Sequence, residues 1–244
     1  MPFSYNAVWD DTVRMFRAHA SLIIAVAGVF IFFPTLLLGH FLPMPHGEER
    51  AAFQMIVDYV SSNLHWFILA RLVTMIGAIA ILLLVFSRTS ITVGSAILNG
   101  IAFLPFYFLA ALLSGFMIGL GWLAFLVPGL YLLGRLAPVG VIVVVEGRRN
   151  PVEAVQQSFA LTKGRGWTIL GLLLIVAVAA FVCAAVVSLV VGIFFLLIGG
   201  GIGRLLTDIV SAAANSAVSV LLILLVAAVY RQLKGVGSMA RTLQ

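Results

Sequence analysis

Charge is what this sequence has least of. Asp, Glu, Lys and Arg make up 9% of its 244 residues, against about 25% in an ordinary soluble domain. A chain so poor in charge cannot clothe itself in a polar surface, and a water-soluble globule is excluded. Acids are scarcer than bases, 8 against 14. The apolar runs contain none of the intramembrane carboxylates on which ion-coupled transporters rely. The single cysteine, Cys183, sits in an apolar run, which rules out an intramolecular disulfide and reads as a small packing residue. Gly199, Gly200, Gly201 and Gly203 form a glycine-rich stretch, but no Lys-Ser or Lys-Thr pair follows and no strand precedes it, so it reads as a bend and not a phosphate loop. No HExxH, nucleophile elbow or helically spaced carboxylate pair occurs. The sequence therefore reads as a non-enzyme with no cofactor.

What is present is oil. Hydrophobic residues are 63% of the chain and the mean hydropathy is +1.22. Residues 22–42, 66–86, 101–127, 130–145, 168–191 and 209–230 form apolar runs near the roughly 20 residues that cross a bilayer core. The expected fold class is all-α: one polytopic membrane domain with six transmembrane helices. Amphipathic segments at 4–18, 50–64 and 150–164, and a weaker one at 90–100, read as surface helices. The third has the strongest start signal, with Asn150 as cap, Pro151 at the first helical position and Glu153 at the third. Pro34 is expected to kink the first span. The polar, amphipathic N-terminus does not read as a cleavable signal.

Orientation follows from the cations. With the N-terminus inside, Arg14, Arg17, Arg88, Arg148, Arg149, Lys163, Arg165, Arg231, Lys234 and Arg241 lie on one side, and only Arg50 and Arg204 on the other. Lys and Arg collect on the cytoplasmic side of membrane proteins, so both termini are expected in the cytoplasm. Residues 4–18, 90–100 and 150–164 each precede an outward span and its return, which suggests three parallel units, each a surface helix plus a hairpin. The net charge of +6 comes in short clusters beside oily runs. That pattern points to anionic lipid headgroups at the cytoplasmic face and away from nucleic acid.

Asp11-Thr12-Val13-Arg14-Met15-Phe16-Arg17, Val127-Pro128-Gly129, Arg135-Leu136-Ala137-Pro138, Glu146, Ala154, Ser158 and Leu161-Thr162 together resemble the YciC-like family of bacterial inner-membrane proteins. They also resemble the membrane domain attached to some glycerophosphodiester phosphodiesterases. The resemblance implies a fold and a bacterial inner (plasma) membrane, and hardly an activity. The chain has no room for the phosphodiesterase barrel, so no catalytic residue of that barrel has a position here.

Two residue sets carry whatever function can be read. Arg71 and Arg135 fall inside spans, where charge is costly and often functional. They are expected near the outer ends of their spans, as snorkelling residues, as contacts for an anion or lipid, or paired with Asp208. Glu146, Arg148, Arg149, Glu153, Lys163 and Arg165 form a candidate inner-face docking surface or structural charge network, with Glu146 expected to bond Arg148, Arg149 or Lys163. His40, His46, His65, Glu48, Glu49 and Asp58 lack the spacing of a metal site. The reading is a lipid- or partner-contacting membrane module in envelope organisation, with a membrane protein as a possible partner. The alternatives are a binder or transporter of a small anionic or lipid substrate, and then a membrane enzyme.

Overall fold

The computed structural model describes residues 3–42, 49–87, 92–196 and 200–242. All the regular structure among them is helical. In chain order it comprises α1 (Tyr5–Ala27), a π-helical turn (Gly28–Phe32), α2 (Phe33–Phe41), α3 (Glu49–Ser62), α4 (Leu64–Phe86), α5 (Val93–Ala124), α6 (Leu126–Leu136), α7 (Val139–Val145), α8 (Pro151–Leu161), α9 (Gly166–Leu196) and α10 (Gly200–Thr242). Among the described residues, six helical stretches are long and apolar enough to cross a membrane. The protein is an all-α polytopic membrane protein.

Local chemistry explains where the helices bend. Ser4 caps α1 by accepting from the Ala7 amide, and His19 leaves the helical region at φ −130°, ψ 21°. The amphipathic start of α1 and the span after it are thus hinged and continuous. Pro34 has no N–H and would press on the carbonyl of Phe30. The π-turn at Gly28–Phe32 sits just before it and widens the backbone where that clash would fall. The expected kink therefore takes the form of a bulge. At Ala137-Pro138 the chain breaks α6 from α7. The weaker surface segment expected at 90–100 does not exist separately. Thr92 caps a helix that runs from Val93 to Ala124 without interruption, because the next three turns are apolar enough to continue it, Pro105 notwithstanding.

The helices pack in a closed order. The α1–α2 span lies between α4 and α10, α4 packs on α5, α5 on α6 and α7, α6 on α9, and α9 on α10. The interior is densest where α4, α7 and α10 also touch, and Ile79, Ile142 and Leu225 are wholly buried there. α9 turns an oily face outward, with Val178, Phe181 and Leu189 each more than half exposed, as a lipid-facing helix does.

The α6–α9 crossing depends on glycine. A Cβ on Gly134 would strike the backbone oxygen of Gly166 and stand 3.0 Å from the Leu170 Cβ. Small residues permit this approach of two backbones. Gly134→Ala is expected to cost about 1–3 kcal/mol, the scale of overpacking, and to lower the unfolding temperature in detergent. Gly115→Ala, which meets nothing within 4 Å, should leave it unchanged.

Candidate functional site

The polar end of the molecule is where the chain's first helix begins, α9 begins and α10 finishes. The Tyr5 hydroxyl donates to the Thr168 carbonyl at 3.1 Å, and the Gln232 amide donates to the Ser4 carbonyl at 3.4 Å. Two clusters are built here.

The first surrounds Arg135. Its Nε donates to Thr162 Oγ1 at 2.8 Å, one terminal nitrogen to the Tyr131 hydroxyl at 2.7 Å, and the other to the Phe159 carbonyl at 2.6 Å. The guanidinium lies over the Tyr131 and Phe159 rings, 5.5 and 4.9 Å from their centroids. In return, the Ser158 hydroxyl donates to the Arg135 carbonyl at 2.6 Å, a group left without a helical partner at the end of α6. Ser158 and Thr162 stand one turn apart on one face, and both are buried. Arg135 is thus a clamp joining α6 to the end of α8, with its donors taken up by protein.

This geometry corrects the sequence-based placement of Arg135. It does not lie below an outer surface beside Asp208. Tyr131 stacks on Trp167 with centroids 5.5 Å apart, and Val127 and Pro128 line the same cavity as Gly164 and Trp167. The first turn of α6, with Pro128 and Gly129, and the start of α9 therefore lie side by side, which excludes their being separated by a bilayer core of about 30 Å. Asp208 accepts instead from His40 at 2.8 Å, linking α2 to α10. Arg71 is exposed on α4 and has no ion pair among the described residues. Arg135 is bonded to Thr162, Tyr131 and Phe159 and not to Asp208.

The second cluster surrounds Glu146, whose side chain is only 11% exposed. Its carboxylate accepts from Arg148 Nε at 2.9 Å, Tyr230 at 2.9 Å and Lys234 Nζ at 3.0 Å. Arg148 also reaches Glu153 at 3.4 Å, and Glu153 accepts from the Asn150 side chain at 3.1 Å while Asn150 caps α8 through the Val152 amide at 3.0 Å. Burial pushes the Glu146 carboxyl up, but the hydrogen bonds from Arg148, Lys234 and Tyr230 outweigh it and hold the group below its ordinary value. The hub ties the α7–α8 turn to the end of α10.

Of the expected network, Glu146, Arg148 and Glu153 come together. Arg149 lies apart, over the Phe106 ring at 6.0 Å. Lys163 and Arg165 carry no ion pair among the described residues, so neither bonds Glu146. The partners that sequence reasoning missed are Tyr230 and Lys234. Their spacing of four residues puts both on one helix face, which was the available signal. Near the same end, Asp11 pairs with Arg14 at 2.6 Å and Arg231 at 3.4 Å. The acids here are largely consumed internally, whereas Arg17, Arg149, Lys163 and Arg165 keep their charge without an acidic partner among the described residues.

No three His, Cys, Asp or Glu residues gather in a metal-binding group among the described residues; His46 and Glu48 lie outside them. Fold and site together define an integral membrane protein with a cation-bearing polar end. Comparison with known proteins adds no relative, since no family model, no curated protein and no solved structure matches the chain.

Proposed function

We infer that the protein is a non-catalytic module of a bacterial inner membrane, oriented with this polar end and both termini in the cytoplasm. There it contacts anionic lipid headgroups and presents α8 to a membrane protein partner. The observation that carries the reading is the imbalance at this end: Glu146 and Asp11 are spent on internal ties, while Arg149, Lys163 and Arg165 are left to face an outside anion. Juxtamembrane cations of this kind attract anionic lipid at about 1 kcal/mol each. A transport reading built on Arg71 with Arg135 loses support because the Arg135 guanidinium is already filled by Thr162, Tyr131 and Phe159.

The YciC-like resemblance fits this reading. Its motif residues have structural tasks here: Gly129 lies against Trp122, Arg135 clamps α8, and Ser158 takes the Arg135 carbonyl left without a helical partner at the end of α6. The motif reads as a signature of folding.

The test is lipid retention. Protein extracted in mild detergent from membranes containing phosphatidylglycerol should hold that lipid through native mass spectrometry. The variant Arg149→Gln/Lys163→Gln/Arg165→Gln should retain it less, by about fivefold per charge removed. Equal retention by parent and variant would defeat the proposal.

A further inference from the structure

Three concavities meet around the first half of α1. One apolar furrow of about 470 Å³ runs between α1 and α10, past Val13 and Phe16. A second, of about 690 Å³, runs between α9 and α10 with Trp9 at its edge. Ala213, Ala217 and Leu221 belong to both, so the furrows flank one ridge of α10. A polar basin holding Asp10, Arg14 and Arg17 adjoins them, sharing Val13 with the first furrow and Trp9 with the second. Two oily channels converging on one charged basin suit a molecule with two hydrocarbon chains and one polar head. A small soluble solute would leave both channels unfilled.

The basin also selects the head. Arg14 is tied to Asp11 at 2.6 Å. Asp10 and Arg17 are both exposed and have no ion pair among the described residues. Seven residues apart, they stand on one helix face about 10 Å apart along the axis, a gap that the long arginine side chain shortens. Among the described residues the basin thus offers a cation and an anion that are in no ion pair. A purely anionic head would meet the Asp10 carboxylate. A zwitterionic head with a phosphate and a primary ammonium satisfies both charges, and the ammonium can donate hydrogen bonds to Asp10, which a quaternary ammonium cannot.

We propose that this basin and its two furrows hold one glycerophospholipid with a primary-amine headgroup, its phosphate against Arg17, its ammonium against Asp10, and one chain in each furrow. The site deepens the function inferred above and rests on that reading's placement of the polar end in the headgroup layer. Trp9, 44% exposed between basin and furrow, suits that layer.

The experiment reconstitutes the protein in vesicles of equal parts phosphatidylethanolamine, phosphatidylcholine and phosphatidylglycerol, then counts retained lipids by native mass spectrometry after mild extraction. Phosphatidylethanolamine should exceed phosphatidylcholine by about fivefold, the net weight of the one hydrogen bond to Asp10 that a quaternary ammonium cannot make. Asp10→Asn should abolish that preference while phospholipid is still retained, and Arg17→Gln should lower phosphatidylethanolamine retention by about fivefold. Both positions are exposed, so unfolding temperatures should match the parent. Retained lipids that mirror the mixture, or an ethanolamine preference that survives Asp10→Asn, would overturn the site. Selective retention of phosphatidylglycerol alone would also overturn it while leaving the contact through Arg149, Lys163 and Arg165 standing. Loss of phosphatidylglycerol retention with the ethanolamine preference intact would support this site and count against that contact.

Discussion

Arg135→Leu destabilises the protein in detergent by about 3 kcal/mol, the loss of hydrogen bonds from a part-buried guanidinium to Thr162, Tyr131 and Phe159 at about 1 kcal/mol each. Leucine fits the oily setting of α6, so the loss comes from what remains behind. The Phe159 carbonyl and the Tyr131 hydroxyl lose their donor, and Thr162 loses its contact to Nε. Each buried group left unsatisfied costs about 1–3 kcal/mol. The guanidinium also leaves the two rings it covers. Arg135→Lys keeps the charge but cannot reproduce a planar, three-directional fork, and about 2 kcal/mol should still be lost. Thermal unfolding followed by circular dichroism measures both. Limited proteolysis should show cleavage between α8 and α9 rising in the leucine variant before the global transition, because the clamp is what docks the end of α8.

Glu146→Gln is the second large effect, about 3 kcal/mol from the loss of charge-assisted bonds worth about 1.5–3 kcal/mol each. The amide keeps the shape of the side chain, so packing on α7 is spared. What fails is the tie between the α7–α8 turn and Lys234, Tyr230 and Arg148. The same residue sets an acid limit. Its carboxyl is held below the ordinary value of 4.5, so its contribution to stability is fully present above that pH. The contribution is lost as pH falls through the lowered folded value, because the unfolded chain then binds the proton more readily. Unfolding temperature should therefore decline more steeply below about pH 4.5 in the parent than in Glu146→Gln; parallel curves would show that Glu146 does not set this slope.

Much of this was legible in the sequence, for reasons that differ by residue. The spans announce themselves because lipid demands about 20 apolar residues in a row. α8 announces itself because Asn150, Pro151 and Glu153 are local signals, and in the structure Asn150 caps the Val152 amide while Glu153 accepts from the Asn150 side chain. Glu146 with Arg148 was legible for the same reason, being two residues apart. What could not be read were contacts between distant segments. Nothing near Arg135 in the chain says that Phe159 and Thr162 come to it, and a lone arginine in an apolar run looks alike whether it snorkels, binds a ligand or clamps a helix. Asp208 shows the same limit, since its acid was free to pair with any cation at hand and took His40. Counting alternating spans puts Arg135 near an outer surface, whereas the structure sets it beside the start of α9. The Tyr131–Trp167 stack is a tertiary fact that counting cannot supply.

The account depends most on which way the cation-bearing end faces. In a Cys183→Ala background, single cysteines at Lys163 and at Asp58 can be labelled with a membrane-impermeant maleimide in intact cells and in inverted membrane vesicles. The expected result is that Asp58→Cys reacts in intact cells, whereas Lys163→Cys reacts only in inverted vesicles. Labelling of Lys163→Cys from outside intact cells would put its free charges away from the cytoplasm and contradict the proposed orientation.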